Sequence, residues 1–268
     1  MSSFESLVYI LFFIIKIPYY LIKAFYYILF FIIKTIKRIS RLFRVEKELK
    51  RVERTNAKYQ KLEIVKKEQG DLKKWENSFY LAESRIGIIL GARGSGKTAI
   101  GIKLMENAYT SSDKKCYAIG FQEKEMPSWI KVISNIQEIE NDSLVLIDEG
   151  GVLFSSRGSM TAANKMLSSL ILVSRHKNIS ILFISQNSSN LDVNIIRQAD
   201  FLILKPSSLL QKDFERKIIS KLYEDLAGEF SKLKSVLGLT YIYSDGFRGF
   251  VKNSLPSFWK TSISKSFR

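Results

Sequence analysis

Gly91-Ala92-Arg93-Gly94-Ser95-Gly96-Lys97-Thr98 matches the pattern G-x-x-x-x-G-K-[ST] in full. That pattern carries physical meaning only where it joins a strand to a helix. The flanks supply this context: residues 85–90, Arg-Ile-Gly-Ile-Ile-Leu, read as a buried strand, and residues 99–109 read as a helix. Glycines at these positions let the backbone wrap closely around phosphate groups and turn its N–H groups inward. The helix N-terminus adds a partial positive charge. Lys97 is then placed to reach the β- and γ-phosphates of a nucleotide, and Thr98 to ligate Mg²⁺.

A second motif lies about fifty residues downstream. Ser143-Leu144-Val145-Leu146-Ile147-Asp148-Glu149 places a continuous apolar run ahead of two carboxylates. Such a run fits a strand buried on both faces of a parallel sheet. The carboxylates fall at its C-terminal end, where open α/β sheets bind their ligands. Asp148 is expected to hold the Mg²⁺ shell, and Glu149 to polarise an attacking water as general base. The ligands implied are ATP and Mg²⁺.

Further strands are expected at 115–120, 179–184 and 199–205, separated by helical stretches at 129–140 and 161–177. Strands alternating with helices indicate an α/β domain with a mainly parallel central sheet. Gln186 follows the 179–184 run, level with Asp148 and Glu149, and is a candidate for sensing the γ-phosphate. Residues 209–237 read as a long amphipathic helix with a break near Gly228. Residues 240–251 read as a hairpin turning at Asp245-Gly246, its aromatics packing on the core or, as the lesser alternative, stacking on bases. The Leu255-Pro256-Ser257-Phe258-Trp259 tail is expected to dock on the domain or on a neighbouring subunit.

The 268 residues carry a net charge of +16, unevenly spread. Residues 1–74 hold 17 Lys/Arg against 7 Asp/Glu, and the remainder 25 against 19. Basic excess beside an apolar segment points first to membrane orientation or anionic lipid, and second to nucleic acid. One cysteine, Cys116, excludes an intrachain disulfide. One histidine, His176, excludes a zinc site of the usual kind and reads as a surface residue.

Residues 7–33 are almost continuously apolar and aromatic, long enough as a helix to cross a ~30 Å hydrocarbon core. Tyr9-Ile10-Leu11-Phe12-Phe13-Ile14-Ile15-Lys16 recurs identically as Tyr27 to Lys34, an offset of five full helical turns. Lys16, Lys23, Lys34 and Arg41 therefore share one stripe. A single spanning helix would carry Lys16 and Lys23 near mid-membrane at about 2.5–3.5 kcal/mol each. An oligomer would shelter the stripe around a polar lumen, and an interfacial helix would turn it to water. A basic flank (Lys34, Lys37, Arg38, Arg41, Arg44) puts a following nucleotide-binding domain on the cytoplasmic side of a host-cell or virion inner membrane. The resulting division is a membrane-associated segment at 1–44, a charged helical linker at 45–77, and a nucleotide-binding domain at 78–268.

Residues 175–186, Arg-His-Lys-Asn-Ile-Ser-Ile-Leu-Phe-Ile-Ser-Gln, continuing through Leu191-Asp192-Val193-Asn194-Ile195-Ile196-Arg197-Gln198-Ala199-Asp200, resemble the FtsK/HerA family of P-loop DNA-pumping ATPases. The resemblance covers residues 85–205 and extends to genome-packaging ATPases of membrane-containing viruses and to zonular occludens toxin-like ATPases of filamentous phage assembly. It implies a hexamer-forming ATPase acting on double-stranded DNA, with Gln186 as polar sensor. It also implies an arginine reaching a neighbouring subunit's nucleotide, for which Arg157, Arg175 and Arg197 are candidates. Asn187-Ser188 stand where the family pattern often has Arg-Pro, and no separate DNA-reading module follows. The leading expectation is a membrane-anchored DNA translocase for viral or plasmid genome packaging or transfer. The alternatives are an ATPase powering virion extrusion through channel proteins and a non-hydrolysing membrane adaptor switched by nucleotide.

Overall fold

The structure, a computed structural model, describes residues 23, 25, 27, 29–36, 57–81, 84–148, 160–208 and 214–265. The chain divides into two units, residues 1–54 and 55–268. In the first, residues 29–36 are helical, and Phe30, Phe31, Ile32 and Ile33 are exposed. Thr35 Oγ1 donates to the Phe31 carbonyl one turn back at 2.8 Å. No helix among the described residues is long and apolar enough to cross a membrane. Most of the 7–33 segment lies outside them.

The second unit is built on a nine-stranded sheet in the order β1-β9-β8-β7-β2-β6-β5-β3-β4. The strands are β1 (Glu63–Gly70), β2 (Ile86–Leu90), β3 (Lys115–Ile119), β4 (Ile130–Val132), β5 (Ser143–Asp148), β6 (Ile179–Ile184), β7 (Phe201–Leu204), β8 (Leu239–Ser244) and β9 (Phe247–Lys252). The helices are α1 (Leu72–Leu81), α2 (Lys97–Ser111), α3 (Met160–Ser174), α4 (Val193–Arg197) and α5 (Lys217–Lys232). From β7 to β4 every pairing is parallel. From β7 outward through β8 and β9 to β1 every pairing is antiparallel.

Strands β2, β5 and β6 are buried at every residue, as apolar runs covered on both faces must be. Alternate side chains serve opposite faces. Ile89, Leu146 and Leu182 join Trp75 and Phe79 of α1 and Ile100 and Leu104 of α2 on one face. Ile88, Leu90, Val145 and Ile181 join Leu167 and Leu170 of α3 and Ile219, Tyr223 and Leu226 of α5 on the other. The result is the three-layer α/β architecture with a mainly parallel sheet that the sequence implies.

Four local expectations need correction. Within the 45–77 stretch read as a charged helical linker, residues 63–70 form the edge strand β1, paired with β9. Nearly all its side chains face solvent, so its ladder is made by backbone, and apolar patterning does not mark it. Residues 129–140, read as helical, contain β4 and a short 3₁₀ turn, Ile136–Glu138. Ile130, Ile133, Ile136 and Ile139 imitate a helical stripe by their spacing, but β-branched residues suit the pleated edge of the sheet equally well. The fifth expected strand is shorter than 199–205, spanning Phe201–Leu204. Helix α5 runs through Gly228 without a break; a side chain there would meet open space.

The hairpin forms as expected, with Phe247 and Phe250 fully buried. The tail docks on its own domain: Phe258 packs edge-on against Trp129 at 5.6 Å between ring centroids.

Candidate nucleotide site

Three glycines of the loop have the positive φ that favours glycine, Gly91 at +148° being the first. Gly94 has φ +78°, and Gly96, with φ +92°, is the N-cap of α2. No side chain caps that helix, so its first turn presents backbone N–H groups to the loop. The loop is tied at its base, where the Ala92 N–H donates to the Pro206 carbonyl at 3.0 Å and the Ser95 N–H to that of Ala92 at 3.2 Å.

Lys97 is 7% exposed. Its Nζ donates to the carbonyl oxygens of Gly91 and Ala92, each at 2.8 Å. The ammonium therefore sits inside the curve of the loop rather than in solvent. Ser95 Oγ is buried in the same loop with no hydrogen-bond partner. An orphaned hydroxyl here fits a site built to bond something polar.

Asp148 ends β5 and is 9% exposed. Thr98, in the first turn of α2, donates its hydroxyl to Asp148 Oδ2 at 3.4 Å. Two residues fifty positions apart thus place a hydroxyl and a carboxylate side by side, an oxygen-only donor pair that suits a hard divalent cation such as Mg²⁺. Among the described residues no group of three His, Cys, Asp or Glu side chains forms a metal site on its own.

Strand β6 lies between β2 and β5, and Ile184 is in register with both Ile89 and Asp148. Gln186, two residues on, is exposed at the edge shared by the loop and the carboxylate. The turn that follows is firmly held. The Ser188 N–H donates to Glu215 Oε2 at 2.6 Å, and Arg216 Nε to the Ser188 carbonyl at 3.1 Å. This clamp supports Gln186 from sequence nearly thirty residues away, and nothing in the local pattern announces it.

The structure brings together Gly91, Ala92, Arg93, Gly94, Ser95, Gly96, Lys97, Thr98, Asp148 and Gln186. Glu149 and Arg157 lie outside the described residues. Arg175 and Arg197 are exposed, as is His176. Cys116 is buried, and burial pushes its thiol up to about 12, which leaves it without thiolate chemistry at neutral pH.

Sequence reasoning passes over Lys205, which stands directly beneath the loop and is 1% exposed. Its position after an apolar strand at the ligand-binding edge was readable. Its burial was not, because the atoms enclosing it come from residues 238–253.

Comparison with solved structures finds the genome packaging NTPase B204 from Sulfolobus turreted icosahedral virus 2, in complex with AMPPCP, at 16% identity and a TM-score of 0.43, covering 65% of this chain and 99% of that one. EssC (ATPases 2 and 3) from Geobacillus thermodenitrificans is similar at 11% identity and a TM-score of 0.42, over 70% of this chain and 43% of that one. Thermomonospora curvata EccC (ATPases 2 and 3), in complex with a signal sequence peptide, is similar at 11% identity and a TM-score of 0.46, over 68% and 40%. No protein-family model and no curated protein matches the chain.

Proposed function

We propose that the chain is a membrane-associated, ring-forming ATPase that drives double-stranded DNA during viral or plasmid genome packaging or transfer. The observation that carries the ATPase reading is the meeting of Lys97, Thr98 and Asp148 at the C-terminal ends of parallel strands, with the Thr98 hydroxyl 3.4 Å from the Asp148 carboxylate. The DNA-driving part rests on the motif resemblance over residues 175–200. The membrane part rests on the apolar repeat and its basic flank, together with the exposed aromatic residues of the 29–36 helix.

In this reading the loop N–H groups and the Lys97 ammonium bind the β- and γ-phosphates. Thr98 and Asp148 hold Mg²⁺, which when bound neutralises charge on the phosphate oxygens. Glu149 takes the proton of the attacking water. Gln186, just past the end of the strand between the loop and Asp148, reports whether the terminal phosphate is present. Arg157, Arg175 or Arg197 of one subunit completes the site of the next, in a hexameric ring whose ATPase domains face the cytoplasm.

The test is steady-state ATP hydrolysis by the full chain in lipid nanodiscs, with and without double-stranded DNA, beside Glu149→Gln. The expected result is DNA-stimulated hydrolysis that the substitution lowers by about 10²- to 10⁴-fold, the usual contribution of a general base. Hydrolysis indifferent to DNA would move the cargo from nucleic acid to a virion or channel protein. ATP binding without hydrolysis in the wild type would leave a nucleotide-switched adaptor.

A further inference from the structure

Lys205 follows β7, which runs parallel to β2, so the two strands deliver Lys205 and the start of the phosphate loop to the same level. The Lys205 N–H donates to the Leu90 carbonyl at 2.8 Å. Its side chain then runs under the loop. A Cβ built on Gly91 would lie 2.6 Å from Lys205 Cβ, and one built on Gly96 would lie 3.7 Å from both Cε and Nζ. The ammonium therefore sits against Gly96, the residue that opens α2 and precedes Lys97.

Nζ donates to the carbonyl oxygens of Gly238 and Leu239, each at 3.1 Å, and to Asn253 Oδ1 at 2.9 Å. Three acceptors around one nitrogen match the three N–H donors of an ammonium, whereas a neutral amine has only two to offer. All three acceptors are uncharged, and among the described residues no carboxylate pairs with this lysine. Such burial opposes the charged form and pulls its pKa down to about 7. A methionine or leucine would fill the same space without that cost. A buried cation held by neutral dipoles becomes favourable when an anion comes close, and the group above it is the phosphate loop.

We propose that Lys205 is a positioning residue for the nucleotide's phosphates: it braces the loop at Gly91 and Gly96, places a second buried positive charge behind it, and ties it to the β8–β9 hairpin. This rests on the nucleotide-binding reading given above.

The experiment measures Kd for ATP, ADP and AMP with the full chain, as wild type, Lys205→Met and Asn253→Asp. Lys205→Met removes the charge and keeps the shape. Asn253→Asp keeps the lysine and sets a carboxylate beside it. Both are expected to weaken ATP by about tenfold and AMP by much less, as loss of an electrostatic contact to the outer phosphates requires. The ATP-to-AMP ratio is the deciding readout, because a general loss of stability lowers all three affinities alike. Unchanged ratios in both variants, or equal losses across the three nucleotides, would overturn the proposal. If Lys205→Met does not fold, Asn253→Asp decides alone by the same ratio. A wild type that binds no nucleotide would sink the nucleotide-binding reading itself, a result distinct from a wild type that discriminates normally and variants that do too.

Discussion

Lys103 and Lys205 are buried to the same degree, 0% and 1% exposed, in two regions that treat the charge in opposite ways. Lys103 lies within α2 and donates to Glu106 Oε2 at 2.7 Å and to Gln60 Oε1 at 2.8 Å. Glu106 also accepts from the Lys58 N–H at 3.0 Å and from the N–H and hydroxyl of Ser257. Asn107 accepts from the Gln60 N–H and donates to the Gln60 carbonyl. This neutral, closed network pins the segment entering β1 and the tail leaving β9 onto the helix that begins at the phosphate loop. Lys205 has three acceptors to the two of Lys103 but, among the described residues, no counter-charge. The difference separates a charge that the fold consumes from one that the fold holds in reserve. Burial alone does not distinguish a clamp from an anion-facing site; the charge of the partners does.

The largest expected effect breaks the paired region. Lys103→Met leaves Glu106 buried without its cation and should cost about 3–5 kcal/mol of stability, read as a lower urea midpoint. Adding Glu106→Gln should return part of that loss, since an uncharged network is cheaper to bury than a lone carboxylate. Nucleotide discrimination should stay as in the wild type for any folded form. If Lys103→Met alters the ATP-to-AMP ratio as Lys205→Met does, the two regions are not different in kind.

A smaller effect is expected from Gly91→Ala, which attacks the contact between Lys205 and the loop from the other side. Gly91 has φ +148°, and the new methyl would meet Lys205 Cβ at 2.6 Å and Ser95 Oγ at 3.0 Å. The strain should cost about 1–3 kcal/mol and lift the loop from its brace, lowering ATP affinity more than AMP affinity. Titration with each nucleotide checks it, and an ATP affinity equal to wild type would show that the loop does not depend on this contact.

The two regions also differ in how much the sequence reveals. The loop at 91–98, the β5 run ending in Asp148 and the β6 run before Gln186 are legible because strands buried on both faces must be continuously apolar, and because a left-handed helix cap demands glycine at Gly96. The hairpin is legible through Asp245-Gly246. Strand β1 is hidden because an edge strand with both faces wet needs no apolar pattern, so Lys66, Lys67 and Glu68 read as a solvated linker. The isoleucines of 129–140 mislead because a spacing of three serves a helix stripe and a strand-and-turn edge alike. Lys205 is invisible for a different reason. A lysine after a strand is by default exposed, and only the fold shows that Gly238, Leu239 and Asn253 close over it.

The smallest effect separates the regions by pH. Below about pH 7 Lys205 is protonated in folded and unfolded chains alike, and the folded protein bears the full cost of burying it. As pH rises from about 7 toward the ordinary lysine value of 10.5, the folded chain gives up this proton first while the unfolded chain keeps it. The unfolded state then binds more protons, so stability rises with pH, by about 1 kcal/mol between pH 7.5 and 8.5. Lys114, pulled down to about 8 by burial, adds a rise of the same sign, and Cys116, pushed up to about 12, opposes it above pH 9. Both are unchanged in Lys205→Met and cancel in the difference. Of the groups nearest Lys205, Tyr223 donates its hydroxyl to the Lys205 carbonyl and is raised far above this window by burial, and Lys97 bonds Gly91 on the loop above. Urea unfolding of wild type and Lys205→Met across pH 6.5–9 should therefore show a steeper rise for the wild type. Parallel curves would mean that the lysine beneath the loop is no less comfortable than one in water, and the contrast with Lys103 would lose its energetic basis.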